Sequence, residues 1–320
     1  MPTGSLTDPF QRADVTIKQI LYDLLGVMEQ NEEGILQDSD PEYLHDFRVA
    51  IRRTRSLLGQ IEGVLPERRI TRFGRDFSWL GNITGPCRDM DVYLISFDAY
   101  QSSLPASKRG DLGPLQEYLY RHKEREHKRL TKALATKRYQ KLKHDWRDFL
   151  KRPPVRVSKL PHAGRPVIHV ASERIWRVYR KAIKQGRDIG PGSPAIKLHE
   201  LRKTCKKLRY LNEFFQFLYP EREIRALIES LKTLQDNLGE FQDLQVQQGS
   251  LRTFALEMER ETGISSETRH AMEILVFRLE QRKQRVRVNF AQRFNRFAST
   301  ANHGLYRKIH ACRQLQQNAG

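Results

Sequence analysis

The sequence predicts an all-α protein built from two copies of one helical unit. Three observations carry this. Apolar residues recur at helical spacing along nearly the whole chain, as in Leu21, Leu24, Leu25 and Met28 or Ile175, Val178, Tyr179 and Ile183, and strand-like alternation is nearly absent. Helix starts are marked by Ser39-Asp40-Pro41 and Ser193-Pro194, a capping side chain before a proline suited to a first turn. Residues 45–92 also align without a gap on 199–246, with 12 identities in 48 positions, among them His45/His199, Arg48/Arg202, Arg55/Arg209, Pro66/Pro220, Gly85/Gly239 and Asp89/Asp243.

Taken in chain order, the first unit begins with a helix near 10–33, on the Leu21 to Met28 stripe. A second, near 41–63, follows the Asp40 cap and carries Phe47, Ile51, Thr54, Leu58 and Ile61 on its core side. Pro66 opens a third near 67–82; Gly85 reads as its stop, and Asp89 as the cap of a fourth near 88–102. A fifth runs near 113–150. The second unit repeats the series near 169–187, 194–218, 221–237, 241–261 and 266–300, with Leu201, Cys205, Leu208 and Phe215 as the core side of its second helix, Gly239 as a stop and Asp243 as a cap. Residues 10–150 and 169–303 are thus two four-helix-bundle-like repeats, expected to be related by a pseudo-twofold axis and to share a groove. The proline- and cation-rich stretch 151–168 joins them, and 304–320 reads as a basic tail.

The balance of 57 Lys and Arg against 38 Asp and Glu, a formal charge of +19, points to a polyanionic partner without naming it. Cys87, Cys205 and Cys312 show no disulfide or zinc spacing, which suits a reducing cytosol. The N-terminal stretch is not built like a secretory signal, and no window is apolar enough to span a bilayer, so a soluble cytoplasmic protein without a membrane partner is expected.

The charge is organised. Residues 45–55 read HDFRVAIRRTR and 199–209 read HELRKTCKKLR. On a helix, His45, Arg48, Arg52 and Arg55 fall within an arc of roughly 80°, with Arg53 on the flank; His199, Arg202, Lys206 and Arg209 do the same, with Lys207 on the flank. A solvated face normally interleaves carboxylates at i,i+4, and these stripes have none, so unpaired cations repelling at that spacing point to an anion site. Weaker stripes occur on the fifth helix of each unit, Arg121, Arg125, Lys128 and Lys132, then Arg278, Arg282 and Arg285, mixed there with glutamates. Like charge should push His45 and His199 toward neutrality, whereas a bound polyanion would favour their two-donor form; a local hydrogen bond holding each helix start is an equal reading. Asp46 and Glu200 alone do not make a metal site. His45-Asp46 lacks the further ligands of a phosphohydrolase pair. With no Gly-rich phosphate loop, H-E-x-x-H or nucleophile elbow, binding without catalysis, cofactor or metal is the expectation.

Two H-x-x-R-x-x-x-[RK]-[RK]-x-R repeats in an all-helical chain, each followed by L-x-x-x-x-G-x-x-x-D, resemble the CHAD family, the conserved histidine alpha-helical domains. The resemblance implies paired bundles around a basic central pore that binds inorganic polyphosphate, with polyphosphate-granule association in some members. It marks His45, Arg48, Arg52, Arg53 and Arg55 with His199, Arg202, Lys206, Lys207 and Arg209. Lys206 and Lys207 put point charges where the first copy has guanidinium forks, and Gln242 stands opposite Arg88. Binding of a nucleic-acid backbone is the alternative reading.

Overall fold

The computed structural model describes residues 8–155 and 157–317, with backbone alone for 310–317. Among them there is no strand, only an isolated bridge between Arg12 and Pro166. In order the helices are α1 (Ala13–Gln37), α2 (Pro41–Leu58), α3 (Glu67–Ile95), α4 (Phe97–Ser103), α5 (Gly113–Leu134), α6 (Lys137–Lys151), α7 (Val167–Arg187), α8 (Ala195–Phe215), α9 (Glu221–Glu261), α10 (Ser266–Val288), α11 (Phe290–Phe297) and α12 (Thr300–Gln317). None of the described helices is long and apolar enough to cross a membrane.

Local chemistry explains where α2 starts and how it packs. The Asp40 side chain accepts the Glu42 backbone N–H at 2.8 Å, Pro41 fills the first turn, and Leu44, Phe47, Ile51, Thr54, Leu57 and Leu58 form the buried stripe. The equivalent expectation for α8 does not hold: Ser193 Oγ instead accepts the Gly190 N–H at 3.0 Å, and the helix begins after Pro194 without a side-chain cap. Its core side is as expected, with Leu201, Cys205, Leu208 and Phe215 buried.

The expected breaks at Gly85 and Gly239 are absent. α3 runs unbroken through Gly85 and Pro86, and α9 through Gly239 for 41 residues, about 60 Å. Asp89 and Asp243 therefore cap nothing. The reason is tertiary: Leu80, Thr84, Cys87 and Met90 keep one buried face on both sides of Gly85, as Leu234, Leu238, Phe241 and Leu244 do around Gly239, and packing overrides local stop signals. Conversely, 113–150 divides where Thr136 caps α6, its Oγ1 accepting the Tyr139 N–H at 3.4 Å. The stretch 266–300 divides at Asn289 between α10 and α11. Residues 304–317 are no tail but part of α12, anchored by Tyr306, which is buried and stacked on Tyr179 at 3.8 Å; 318–320 lie outside the described residues.

In the first half α1 packs on α2, α2 on α3 and α3 on α5; in the second, α7 packs on α8, α8 on α9 and α9 on α10. The halves meet where α1 touches α7, α2 touches α8 and α5 touches α9, and one continuous apolar core crosses that junction. The turn after α2 is held to the connector at Gly63, whose φ of +75° suits glycine and whose carbonyl accepts the His162 N–H at 2.9 Å. Arg174 of α7, buried, donates to the Glu62 carbonyl at 2.8 Å. These contacts seat the two halves so that α2 and α8 face each other.

Candidate anion-binding site

Where α2 meets α8 the surface opens into a cavity of about 680 Å³. From α2 it is lined by His45, Val49, Arg52 and Arg53, and from α8 by Lys206, Arg209, Tyr210 and Glu213. Asp236, Glu240 and Asp243 of α9 and Arg282 of α10 complete the charged wall.

The cations are held differently. Arg52 is exposed into the cavity. Lys206 is half-buried, and its pKa is pushed down to about 8, first by burial and then by the positive charges of Arg202 and Arg52. A guanidinium from the other half therefore acts directly on this lysine. Arg53 and Arg209 share one carboxylate: Arg209 Nε donates to Glu213 Oε1 at 2.5 Å, and Arg53 Nη1 lies 3.5 Å from Glu213 Oε2. Arg53, expected on the flank, thus faces the junction, its guanidinium 5.0 Å over the Phe214 ring. Arg282 donates to Glu240 Oε1 at 2.7 Å.

The remaining stripe members are structural or turned away. Arg48 donates from Nη1 to the Gly81 carbonyl at 3.0 Å and Thr84 Oγ1 at 2.8 Å, tying α2 to α3. A Cβ at Gly85 would lie 3.5 Å from that guanidinium, and one at Gly81 would lie 3.2 Å from Arg55 Nη1. The glycines give room to arginines lying along α3. Arg202 pairs with Asp243 at 3.2 Å. Lys207 is exposed and does not line the cavity. Of the fifth-helix stripes only Arg282 reaches it; Arg121, Lys128, Lys132, Arg278 and Arg285 are exposed elsewhere, and Arg125 is 3.7 Å from Glu261.

The two histidines occupy matching places with different partners. Arg88 Nη2 lies 3.0 Å from His45 Nδ1 and Arg88 Nη1 donates to the Pro41 carbonyl at 2.9 Å, so one guanidinium holds the start of α2. An arginine can only donate, which fixes Nδ1 as acceptor and leaves the proton on Nε2. Burial, and then the charge of Arg88, lowers the His45 pKa. His199 Nδ1 lies 2.8 Å from Gln242 Oε1, the position equivalent to Arg88, where it acts as donor. The departure from Arg88 to Gln242 thus reverses the polarity of this hydrogen bond. Ligand atoms of Glu42, His45 and Asp46 come within 4.8 Å of one another, but Arg88 sits on His45 and 3.6 Å from Glu42, placing a positive charge where a cation would be.

Glu213 was not foreseen. It stands one turn beyond Arg209 on the same stripe, so the second stripe ends in a carboxylate, whereas the equivalent place in the first is Gly59. Extending the wheel by four residues would have found it. Glu240 and Asp236 reach the cavity only through packing of α9 on α8.

The CHAD domain family model matches residues 19–252. No curated protein sequence matches the chain. Among solved structures, the CHAD domain from the plant Ricinus communis superposes with a TM-score of 0.74 at 24% identity, over 90% of this chain and 93% of that one. PptA from Streptomyces chartreusis superposes at 0.65 with 16% identity, over 89% and 99%.

Proposed function

The chain belongs to the CHAD family, and from that premise we propose that it binds inorganic polyphosphate, without catalysing its turnover, in the cavity between α2 and α8. The observation that carries this is Lys206, a cation whose charge is disfavoured by burial, Arg202 and Arg52. A phosphate chain passing between Arg52 and Lys206 would relieve that repulsion, and Arg53 and Arg209 would offer planar forks to further phosphates. The two stripes then act as walls of one pseudo-twofold groove.

The polyanion enters in competition with the protein's own carboxylates. Glu213, Glu240 and Asp243 already sit on Arg53 and Arg209, Arg282 and Arg202 respectively, so only a ligand making several contacts at once displaces them. A repeating chain with about one charge per phosphate does so; an isolated phosphate has one set of contacts to offer. Among the described residues lining this cavity the only aromatic groups are Tyr210 and the His45 imidazole, so platforms for stacking bases are few there, which favours a chain without bases over nucleic acid. A cytoplasmic place, on polyphosphate granules where these exist, belongs to the same proposal.

Isothermal titration of long-chain polyphosphate into wild type and Arg52→Ala/Lys206→Ala is the test. Affinity is expected to fall by about tenfold or more in the double variant, and in wild type to fall log-linearly with salt. Unchanged affinity in the double variant refutes the site. Preference for RNA in direct competition refutes the ligand.

A further inference from the structure

A second cavity, of about 1000 Å³, shares no residue with the one above. It lies between the start of α3, the end of α6, α1 and the connector that follows α6. We propose that it is a separate docking site for an acidic peptide segment of a partner protein, one carrying apolar side chains between its carboxylates.

Charge comes first. Lys18, Arg68, Arg69, Arg72, Arg75, Arg152 and Lys159 line this cavity against one carboxylate, Asp14, which is already held by Arg12 at 2.8 Å. Arg72 is engaged by Asp145 and Asp76. Among the described residues, no carboxylate lies within ion-pair distance of Arg68, Arg69, Arg75, Arg152 or Lys159, in contrast to the central cavity, where carboxylates stand on most cations. Lys18 is half-buried, its Nζ donating to the Arg152 carbonyl at 2.8 Å and lying 4.9 Å over the Phe149 ring, so it is fixed in place facing this cluster. Unneutralised cations at this density repel one another unless an anion joins them.

The second observation decides the kind of anion. Val155 and Val157, on the connector at the cavity mouth, are 71% and 83% exposed, and Phe149 and Leu160 line the interior beside them. A phosphate chain has no apolar group to cover these side chains, and a polar, wholly acidic peptide has none either. A segment alternating carboxylates with aliphatic side chains matches both the forked arginines and the exposed valines. Such a patch of exposed apolar residues rimmed by one sign of charge is what a protein-docking surface requires.

The probe is a fluorescein-labelled twelve-residue peptide alternating Glu with Leu, titrated against the full chain by anisotropy, beside a control with Ser in place of each Leu. The Glu-Leu peptide is expected to bind about tenfold more tightly than the control. Arg68→Glu/Arg69→Glu should weaken it by about tenfold or more, and Val155→Ser/Val157→Ser, at exposed positions where folding is not at stake, should bring it close to the control. Arg52→Ala/Lys206→Ala should leave it unchanged, which separates this site from the polyphosphate cavity. No binding to wild type, equal binding of the two peptides, displacement of the peptide by polyphosphate in the Arg52→Ala/Lys206→Ala background, or indifference to both connector and α3 variants would each overturn the proposal.

Discussion

Removing the carboxylate of Glu213 should tighten polyphosphate binding. Glu213 holds Arg53 from the first half and Arg209 from the second. Its side chain is 18% exposed, theirs 29% and 40%, so neither pair is buried enough to be worth several kcal/mol. Two partly exposed Arg–carboxylate pairs contribute about 0.5–1 kcal/mol each. A ligand that must break both forfeits about 1–2 kcal/mol, or roughly 5–30-fold in affinity. Glu213→Gln keeps the shape and returns that free energy to the ligand. The gain should be largest for short anions such as tripolyphosphate, because a long chain already offsets the competition through its other contacts. Titration calorimetry of wild type and Glu213→Gln with tripolyphosphate and with long-chain polyphosphate measures both effects. If wild type binds polyphosphate and Glu213→Gln binds it no better, or more weakly, the competing role of Glu213 is wrong while the site stands.

Lys206, with a pKa near 8 in the free protein, should take up a proton when polyphosphate binds at pH 8–9, and affinity should fall as pH rises through that range. Calorimetry in buffers of different ionisation enthalpy reads the uptake, which Lys206→Arg should abolish. The same depressed pKa means that charging Lys206 costs stability fully below pH 8, a cost relieved as pH climbs from about 8 toward 10.5, so Lys206→Met should raise the melting temperature at pH 7 more than at pH 10. Gly186→Ala drives a Cβ into the Phe294 ring, which must shift; a loss of about 1–3 kcal/mol should appear in chemical denaturation. Cys87 and Cys205, buried thiols each pushed up to about 12, should resist a thiol-specific reagent in native Cys312→Ser protein and react on unfolding.

What was legible in the sequence was what local periodicity controls. Phe47, Ile51, Thr54, Leu58 and Ile61 are buried as the wheel places them, and Arg52, Lys206 and Arg209 emerge beside that core edge into one cavity. The rest depends on contacts distant in sequence. Gly85-Pro86 looks like a stop until the faces of α3 on either side are seen buried together. Arg48 and Arg55 belong to the basic stripe, yet where their guanidiniums go is decided by Gly81 and Gly85 on another helix. Arg88 and Gln242 each reach back 43 residues to a histidine, a pairing that only the packing of α3 on α2 and α9 on α8 creates. The outer cavity was hidden for a similar reason: four of its arginines, Arg68, Arg69, Arg72 and Arg75, come from the start of α3, while its valines come from the connector, 80 or more residues later.

Lysine footprinting tests the central claim most directly. Brief acetylation at pH 8, read by mass spectrometry with and without long-chain polyphosphate, compares Lys206 with Lys207 beside it on α8 and with Lys128 and Lys132 on α5. Protection of Lys206, with Lys207, Lys128 and Lys132 modified as before, is the expected result. Protection of Lys128 and Lys132 while Lys206 reacts unchanged would place the phosphate chain on the outer helices and contradict the account.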